Sequence, residues 1–195
     1  MERLKPIPVP IGGEVKTPDG GTLTAVYEDP NVARRDQIIT TSTDVHEAGH
    51  GVVGKLTGSN IIRMRTRLSG KIRGDVVLDG LNLIAAASSQ DENGNGHDTW
   101  ILEQNGVSPI AMGAIARGYK NRARDEIHEV AAELAIRREL GDSDVESAMK
   151  DGKEGRKVVV LYKNREGNRR REIRTRVKGP VAMVPDVEYE LPIAA

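Results

Sequence analysis

The segment from Thr43 to Gly58 constrains the fold more than any other part of this 195-residue chain. It predicts a helix over 43–57, because Thr43 or Ser42 can cap the first turn and Gly58 can end the last. An apolar stripe along this helix consists of Val45, Val52, Val53 and Leu56. The remaining side is polar, so a helix packed into a core here needs a cleft or a ligand beside that side.

The polar side carries His46-Glu47-Ala48-Gly49-His50, an H-E-x-x-H sequence. Residues i and i+4 lie on one helix face, so both imidazoles can bind one ion while Glu47 deprotonates a metal-bound water. Zn²⁺ suits this pair because it accepts neutral imidazole and keeps an open position for water. Glycine at position 49 costs about 1 kcal/mol of helix stability relative to alanine, which suggests that another backbone approaches there. The sequence therefore predicts a zinc site with ligands His46 and His50 and the general base Glu47.

A catalytic zinc ion needs a third protein ligand. The other histidines are His97, an expected exposed bystander in a polar loop, and His128. A helix predicted over 122–140 carries His128 together with Asp125 and Glu126, and Glu126 borders its apolar side. We expect Glu126 as the third ligand, with Asp125 second and His128 third.

The other predicted elements are mostly short. They are a hairpin over 11–28, two strands between 60 and 78, an ambiguous segment over 81–87, a loop over 88–98, helices over 108–117 and 143–150, a hairpin over 156–177 and an extended tail over 180–195. Five aromatic residues and no cysteine leave an aliphatic core and exclude disulfides, thiolate zinc sites and base-stacking platforms. No apolar run is long enough for a membrane span and no signal peptide is evident, so we expect a cytoplasmic protein without membrane contact.

Three segments are expected: an N-terminal hairpin over 1–30, a domain over 31–150 that is zinc metallopeptidase-like because it contains the H-E-x-x-H helix, and a basic β-hairpin with an extended tail over 151–195. The whole chain has 29 basic and 29 acidic side chains, whereas residues 151–178 have eleven against four, a net charge of +7. The predicted fold class is α+β and zincin-like. It comprises a mainly helical peptidase core, a small β-sheet and a β-rich C-terminal hairpin.

The stretch HEAGHGVVGKL, residues 46–56, resembles the zinc peptidase domain of FtsH-type AAA proteases. In that family HEAGH is followed by a small residue, two aliphatic residues, glycine and a basic residue, and a later helix supplies an Asp as third ligand. Asp125 and Glu126 lie 75 and 76 residues after His50, and Glu126-Ile127 keeps the pattern with Glu in place of Asp. The resemblance implies a zinc-dependent endopeptidase that hydrolyses a polypeptide substrate.

Two alternatives stay open. The segment EIHEVAAEL, residues 126–134, is also similar to the third-ligand segment of small metallopeptidases that cleave phage repressors, which implies a regulatory peptidase. The second alternative is a non-catalytic structural or binding module that retains the peptidase-like fold. No G-x-x-x-x-G-K-[ST] occurs in the sequence, so ATP-driven unfolding would need a separate ATPase, and a homo-oligomer is compatible with the family.

Weaker signals concern calcium and nucleic acid. Asp91, Asn93 and Asn95 copy the first half of a calcium loop, but its twelfth position is Leu102 rather than a bidentate Glu, so calcium is not expected. Alternating cations in 63–67 predict a solvated sheet face, and overall neutrality argues against a nucleic-acid partner. The strand around 60–68 could pair with an extended peptide.

Overall fold

The computed structural model describes residues 6–35, 37–69, 71–88 and 96–185. Helices and antiparallel strands mix along the chain, so the fold is α+β. The strands are β1 (Ile7–Pro10), β2 (Glu14–Lys16), β3 (Thr22–Tyr27), β4 (Ile61–Ser69), β5 (Lys71–Leu78), β6 (Glu139–Leu140), β7 (Arg156–Lys163), β8 (Arg170–Val177) and β9 (Val181–Val184). The helices are α1 (Pro30–Arg35), α2 (Ser42–Leu56), α3 (Leu83–Ala87), α4 (Gly96–Gln104), α5 (Pro109–Arg122), α6 (Arg124–Arg137) and α7 (Asp142–Glu154).

The chain divides into two compact units. The terminal unit combines the two ends of the chain, up to Arg34 and from Glu154 onward, and the central unit runs from Arg35 to Lys153. The expected boundaries at 30/31 and 150/151 lie close to these positions. The expected N-terminal and C-terminal segments are not separate, however, because they contribute strands to one sheet.

The terminal unit contains a four-stranded antiparallel sheet in the order β2-β3-β7-β8 and a pair formed by β1 and β9. The hairpins predicted over 11–28 and 156–177 are confirmed, and β3 pairs with β7 from Thr22 opposite Lys163 to Tyr27 opposite Val158. Alternate side chains point inward, so the core consists of Val9, Leu23, Ala25, Val158, Val160, Tyr162, Val177, Ala182 and Val184. The tail predicted over 180–195 is extended where it forms β9, and residues 186–195 lie outside the described ranges.

The sheet of the central unit has the order β5-β4-β6, so β4 lies in the middle and β5 at an edge. The two strands predicted between 60 and 78 are confirmed. Pairing of β4 with β6 at Met64 and Arg65 occupies the side of β4 that faces away from β5. The strand around 60–68, which we expected could pair with an extended peptide, is β4; it has β5 on one side and, at Met64 and Arg65, β6 on the other.

Helix α2 confirms the helix predicted over 43–57, but its cap is Thr41 rather than Ser42 or Thr43. The Thr41 Oγ1 accepts a hydrogen bond from the Asp44 N–H at 3.1 Å, and the Asp44 carboxylate accepts one from the Thr41 N–H at 2.8 Å. This reciprocal pair is a capping box. Asp44 is fully buried and also accepts a hydrogen bond from the Thr66 hydroxyl, which joins the start of α2 to β4.

The core of the central unit lies between α2, β4, α6 and α7. Its buried members are Ala48, Val52, Ile61, Met64, Ala123, Ile127, Val130, Ala131, Leu134, Leu140, Val145 and Ala148. The ambiguous segment 81–87 forms α3, and the helices predicted over 108–117, 122–140 and 143–150 appear as α5, α6 and α7 with shifted ends. The loop predicted over 88–98 is wrong from Gly96 onward, where α4 begins. Residues 89–95, with the calcium-like pattern, lie outside the described ranges.

Candidate metal centre

Two histidines from adjacent turns of α2 direct their Nε2 atoms to the same point. The Nε2 atoms of His46 and His50 are 3.1 Å apart, and the two rings are nearly perpendicular, at 83°. The spacing of four residues along a helix produces this convergence, because such residues share one helix face. The structure thus brings together the two imidazoles that the sequence pairs.

Asp98 of α4 completes a group of three candidate ligands. Its Oδ2 lies 3.7 Å from His46 Nε2 and 3.4 Å from His50 Nε2. Ligand atoms at about 2.0–2.1 Å from a tetrahedral zinc ion are separated by about 3.4 Å. The three separations of this group bracket that value, and a donor set of two imidazoles and one carboxylate matches the chemistry of a catalytic zinc site. The residues present therefore fit a zinc ion with one position left open.

Neither Glu126 nor Asp125, the carboxylates expected as third ligand, belongs to this group. Glu126 lies half-buried at the beginning of α6, where its backbone packs closely on α7: a Cβ added at Gly152 would lie 2.6 Å from the Glu126 Cα. Asp125 and His128 are exposed on α6. The carboxylate that the structure brings beside the two histidines is that of Asp98, not that of Glu126 or Asp125.

The side of α2 that α6 covers explains this difference. Apolar residues of α6, among them Ile127, pack in one cluster with Ala48 and Val52 of α2. On an ideal helix Ala48 lies about 200° round the axis from both His46 and His50. The apolar stripe that holds α6 in place therefore faces away from the imidazoles, and a carboxylate on α6 does not reach them.

A hydrogen bond from the other ring nitrogen orients His50. Its Nδ1–H donates to the Ala85 carbonyl oxygen at 2.7 Å, and the Ser88 hydroxyl lies 3.2 Å from the same nitrogen. This bond puts the proton on Nδ1 and leaves the Nε2 lone pair for a metal. Burial acts to lower the pKa of His50, but its hydrogen bond with Asp98 and the negative charge of Asp98 raise it above its ordinary value. The negative charge of Asp98 thus favours a positive charge beside the Nε2 atom of His50.

Glu47 is buried beside the two histidines and packs against the backbone of β5 at Gly74. A Cβ at Gly74 would overlap the Glu47 side chain, so only glycine permits this approach. Burial raises the pKa of Glu47, and the charges of Asp98 and Asp75 raise it further, against the opposing effect of the histidines. A raised pKa suits a carboxylate that takes up and releases a proton.

Glycine at position 49 has a smaller role than the sequence suggests. A Cβ added there would meet only the Ser88 Oγ, at 3.8 Å, which is ordinary van der Waals contact. The close backbone approach beside the histidines is made at Gly74, where the strand and not the helix supplies the glycine.

The candidate ligands and Glu47 open into a cleft of about 280 Å³. Four residues of β5 line one wall, Gly74, Asp75, Val76 and Leu78. Apolar side chains dominate elsewhere, with contributions from Leu81, Ala85, Ala86 and Ile101. His97, expected as a bystander in a loop, is exposed on α4 but also lines this cleft, and its ring stacks on Trp100 at a centroid distance of 6.0 Å.

The sequence carried one signal for Asp98 that the loop prediction obscured. Asp98 lies four residues before Leu102, and both are buried, so they share the inward face of α4. In the sequence, this face is visible only as the four-residue spacing between an acidic and an apolar residue. The loop was predicted because residues 88–98, SSQDENGNGHD, are polar and can bury little apolar surface.

Comparisons with models of protein families, with curated proteins and with solved structures find no match for this chain. Among the described residues, none of the helices combines the length and the apolar character that crossing a membrane requires.

Proposed function

We propose that this protein is a zinc-dependent endopeptidase with a zincin-like core in its central unit. The observation that carries the proposal is the triangle of His46 Nε2, His50 Nε2 and Asp98 Oδ2, with sides of 3.1, 3.4 and 3.7 Å. The buried carboxylate of Glu47 stands beside it in the same cleft. A site that bound zinc only for folding would be closed by a fourth protein ligand. Among the described residues, the group has three members.

Zinc bound by these three residues would act as a Lewis acid that activates a water molecule and polarises the carbonyl of the scissile peptide bond. Glu47 takes the proton of the attacking water and passes it to the nitrogen of the leaving amine. Its contact with Gly74 limits the positions that its carboxylate can adopt. The bond from His50 to the Ala85 carbonyl keeps the imidazole in the orientation that the ligand triangle needs.

The polypeptide substrate would bind along β5. This strand lies at an edge of the central sheet, and four of its residues, Gly74, Asp75, Val76 and Leu78, form a wall of the cleft. An extended peptide can add to such an edge by backbone hydrogen bonds, which places a peptide bond of any sequence beside Glu47. Backbone pairing suits an endopeptidase because it does not depend on a chain terminus.

The test compares Glu47→Gln with Glu126→Gln. Both substitutions exchange a carboxylate for an amide of the same shape, but Glu126 lies away from the ligand triangle. Glu47→Gln should retain bound zinc and lower kcat for a denatured protein substrate by about 10²–10⁴-fold, because the amide accepts no proton. Glu126→Gln should keep wild-type turnover. Zinc content by elemental analysis and hydrolysis with and without a chelator give the readout.

Two outcomes would contradict this assignment. Turnover of Glu47→Gln near that of the wild type would remove Glu47 from the reaction. Stoichiometric zinc without hydrolysis of any peptide, combined with unfolding on chelation, would show a structural metal module, which is the alternative class.

A further inference from the structure

The outward face of the β4–β5 pair, on the side away from α2, carries four arginines. Arg63, Arg65 and Arg67 alternate along β4, and Arg73 lies on β5. The inward positions between them, such as Met64 and Thr66, are buried. We call these four side chains the arginine face.

Asp75 neutralises part of this face. Its carboxylate accepts hydrogen bonds from Arg65 Nε and from Arg63 Nη2, the latter at 3.1 Å. Burial acts to raise the pKa of Asp75, but the two arginines lower it below its ordinary value, so the carboxylate stays ionised and paired. Arg63 and Arg65 are thereby held in place on the sheet.

Arg67 and Arg73 differ from this pair. They lie directly opposite each other across the two strands, and both are exposed. Within the ranges that the structure describes, no carboxylate lies at ion-pair distance from either guanidinium group. Like charges directly opposite in a sheet are destabilising. An anion between them would remove that repulsion.

The position of Arg73 connects it to the cleft. It immediately precedes Gly74, the residue that Glu47 packs against, on the edge strand of the sheet. A peptide that pairs with β5 has side chains that alternate between the two faces of the sheet. Its inward side chains meet the apolar wall of the cleft, which includes Val76 and Leu78, and its outward side chain opposite Arg73 meets the arginine face.

We propose that the site selects extended peptides with an acidic side chain at the outward position opposite Arg73, flanked by apolar side chains at the inward positions. The carboxylate pairs with the guanidinium group of Arg73, and Arg67, one strand further from the peptide on β4, adds positive charge beside that pair. Directly opposed side chains on neighbouring strands are about 4.5–5.5 Å apart at Cβ, which Glu and Arg bridge easily. This inference rests on the proposed peptidase function and names its substrate class.

The test uses one apolar peptide into which a single Glu is placed at successive positions, with matched Gln and Lys series. For the wild-type protein, kcat/KM should be about three- to tenfold higher with Glu than with Gln at one position near the cleaved bond. At the same position, the Lys peptide should have a lower kcat/KM than the Gln peptide. Arg73→Glu should invert this order. Arg117→Glu, an exposed charge reversal on α5, should leave it unchanged. Equal kcat/KM for Glu and Gln at every position, or a Glu preference that survives Arg73→Glu, would overturn the inference but leave the peptidase intact.

Peptide binding to the Glu47→Gln protein distinguishes a failure of the peptidase proposal from a failure of the acidic-peptide site. Fluorescence anisotropy should show tighter binding of the Glu peptide than of the Gln peptide, and the difference should shrink with added salt. If the wild-type protein cleaves no peptide but this difference persists and depends on Arg73, the peptidase proposal fails and the acidic-peptide site stands. An absence of both cleavage and binding overturns both. Tighter binding of an oligonucleotide than of the Glu peptide, lost in Arg73→Glu, would assign the arginine face to nucleic acid.

Discussion

The two units of this protein differ in what they bury. Among the described residues of the terminal unit, Thr17 is the one buried side chain that counts as polar, which follows from the alternation of its strands. The central unit buries eight of the nine polar or charged residues that are buried in the described part of the chain. These are Arg35, Asp44, Glu47, His50, Thr66, Ser88, Asp98 and Glu133.

Burying a polar group is unfavourable unless it is hydrogen-bonded or paired. The polar interior of the central unit therefore lowers its free energy of unfolding wherever such partners are lost. Part of that interior is structural: Asp44 joins α2 to β4, and Glu133 accepts a hydrogen bond from Arg35. The remainder surrounds one cleft. The terminal unit thus has an apolar core, whereas in the central unit helix α2 contributes both to the core and to the candidate site. Four predictions test this difference.

The largest effect should come from Arg35→Ala. The guanidinium group donates to Glu133 at 2.8 Å, Glu129 at 3.0 Å and Asp151 at 3.1 Å, and is itself almost fully buried. Its removal leaves carboxylates in the interior without this partner, which should cost about 3–5 kcal/mol of the free energy of unfolding. Chemical denaturation measures the loss.

Arg34→Ala is the matched control, because that neighbouring side chain is exposed. Its effect should stay within about 0.5 kcal/mol. Equal effects of the two substitutions would mean that the buried network does not stabilise the central unit.

Asp98→Ala should abolish tight metal binding without unfolding the protein. Loss of a residue that only supports a ligand weakens metal affinity by about 10–100-fold, so loss of a ligand should exceed 100-fold, or about 2.7 kcal/mol. Asp125→Ala and Glu126→Ala should keep nearly wild-type affinity, since both lie away from the histidines. Competition titration with a zinc indicator measures all three. A larger loss for Glu126→Ala than for Asp98→Ala would return the third ligand to α6.

Val160→Ala tests whether the metal centre depends on the packing of the terminal unit. The side chain is fully buried in that unit, and loss of two methyl groups with the cavity they leave should cost about 2 kcal/mol. Hydrogen exchange in β7 should quicken, while zinc affinity should stay that of the wild type. A parallel fall in zinc affinity would show that the metal centre depends on the terminal unit.

The smallest effect concerns acid stability of the central unit. The Ile61 N–H, at 2.7 Å, and Lys55 lower the pKa of Asp142 below its ordinary value of 3.8. A carboxylate with a lowered pKa in the folded state stabilises the protein above its ordinary pKa and loses this effect as pH falls through the folded value. Asp142→Asn should therefore be less stable at pH 7 by at most about 1 kcal/mol, and the difference should vanish in strong acid. Denaturation at several pH values checks this, and a difference unchanged at pH 2 would contradict it.

Local patterns in the sequence predicted the fold class and several of the helices and strands of this protein. The spacing of His46 and His50, the apolar stripe of α2 and the turn residues of both terminal hairpins each depend on neighbours within one element. Helix period and strand alternation translate directly into which side chains share a face. The α+β class, the helix with its paired imidazoles and the two terminal hairpins followed from these patterns alone, whereas the ends of α5, α6 and α7 are shifted and α4 was expected as a loop.

Contacts between distant elements decided the rest. Asp98 lies beside the histidines because α4 packs against α3, next to the cleft. Glu126 does not, because the apolar face of α6 that it borders packs on the side of α2 that faces away from the histidines. Likewise, β4 is an inner strand of the central sheet because a two-residue strand after α6, Glu139–Leu140, pairs with its other side. Such placements depend on which surfaces bury each other, and the periodicity of a single segment contains no information about its partner.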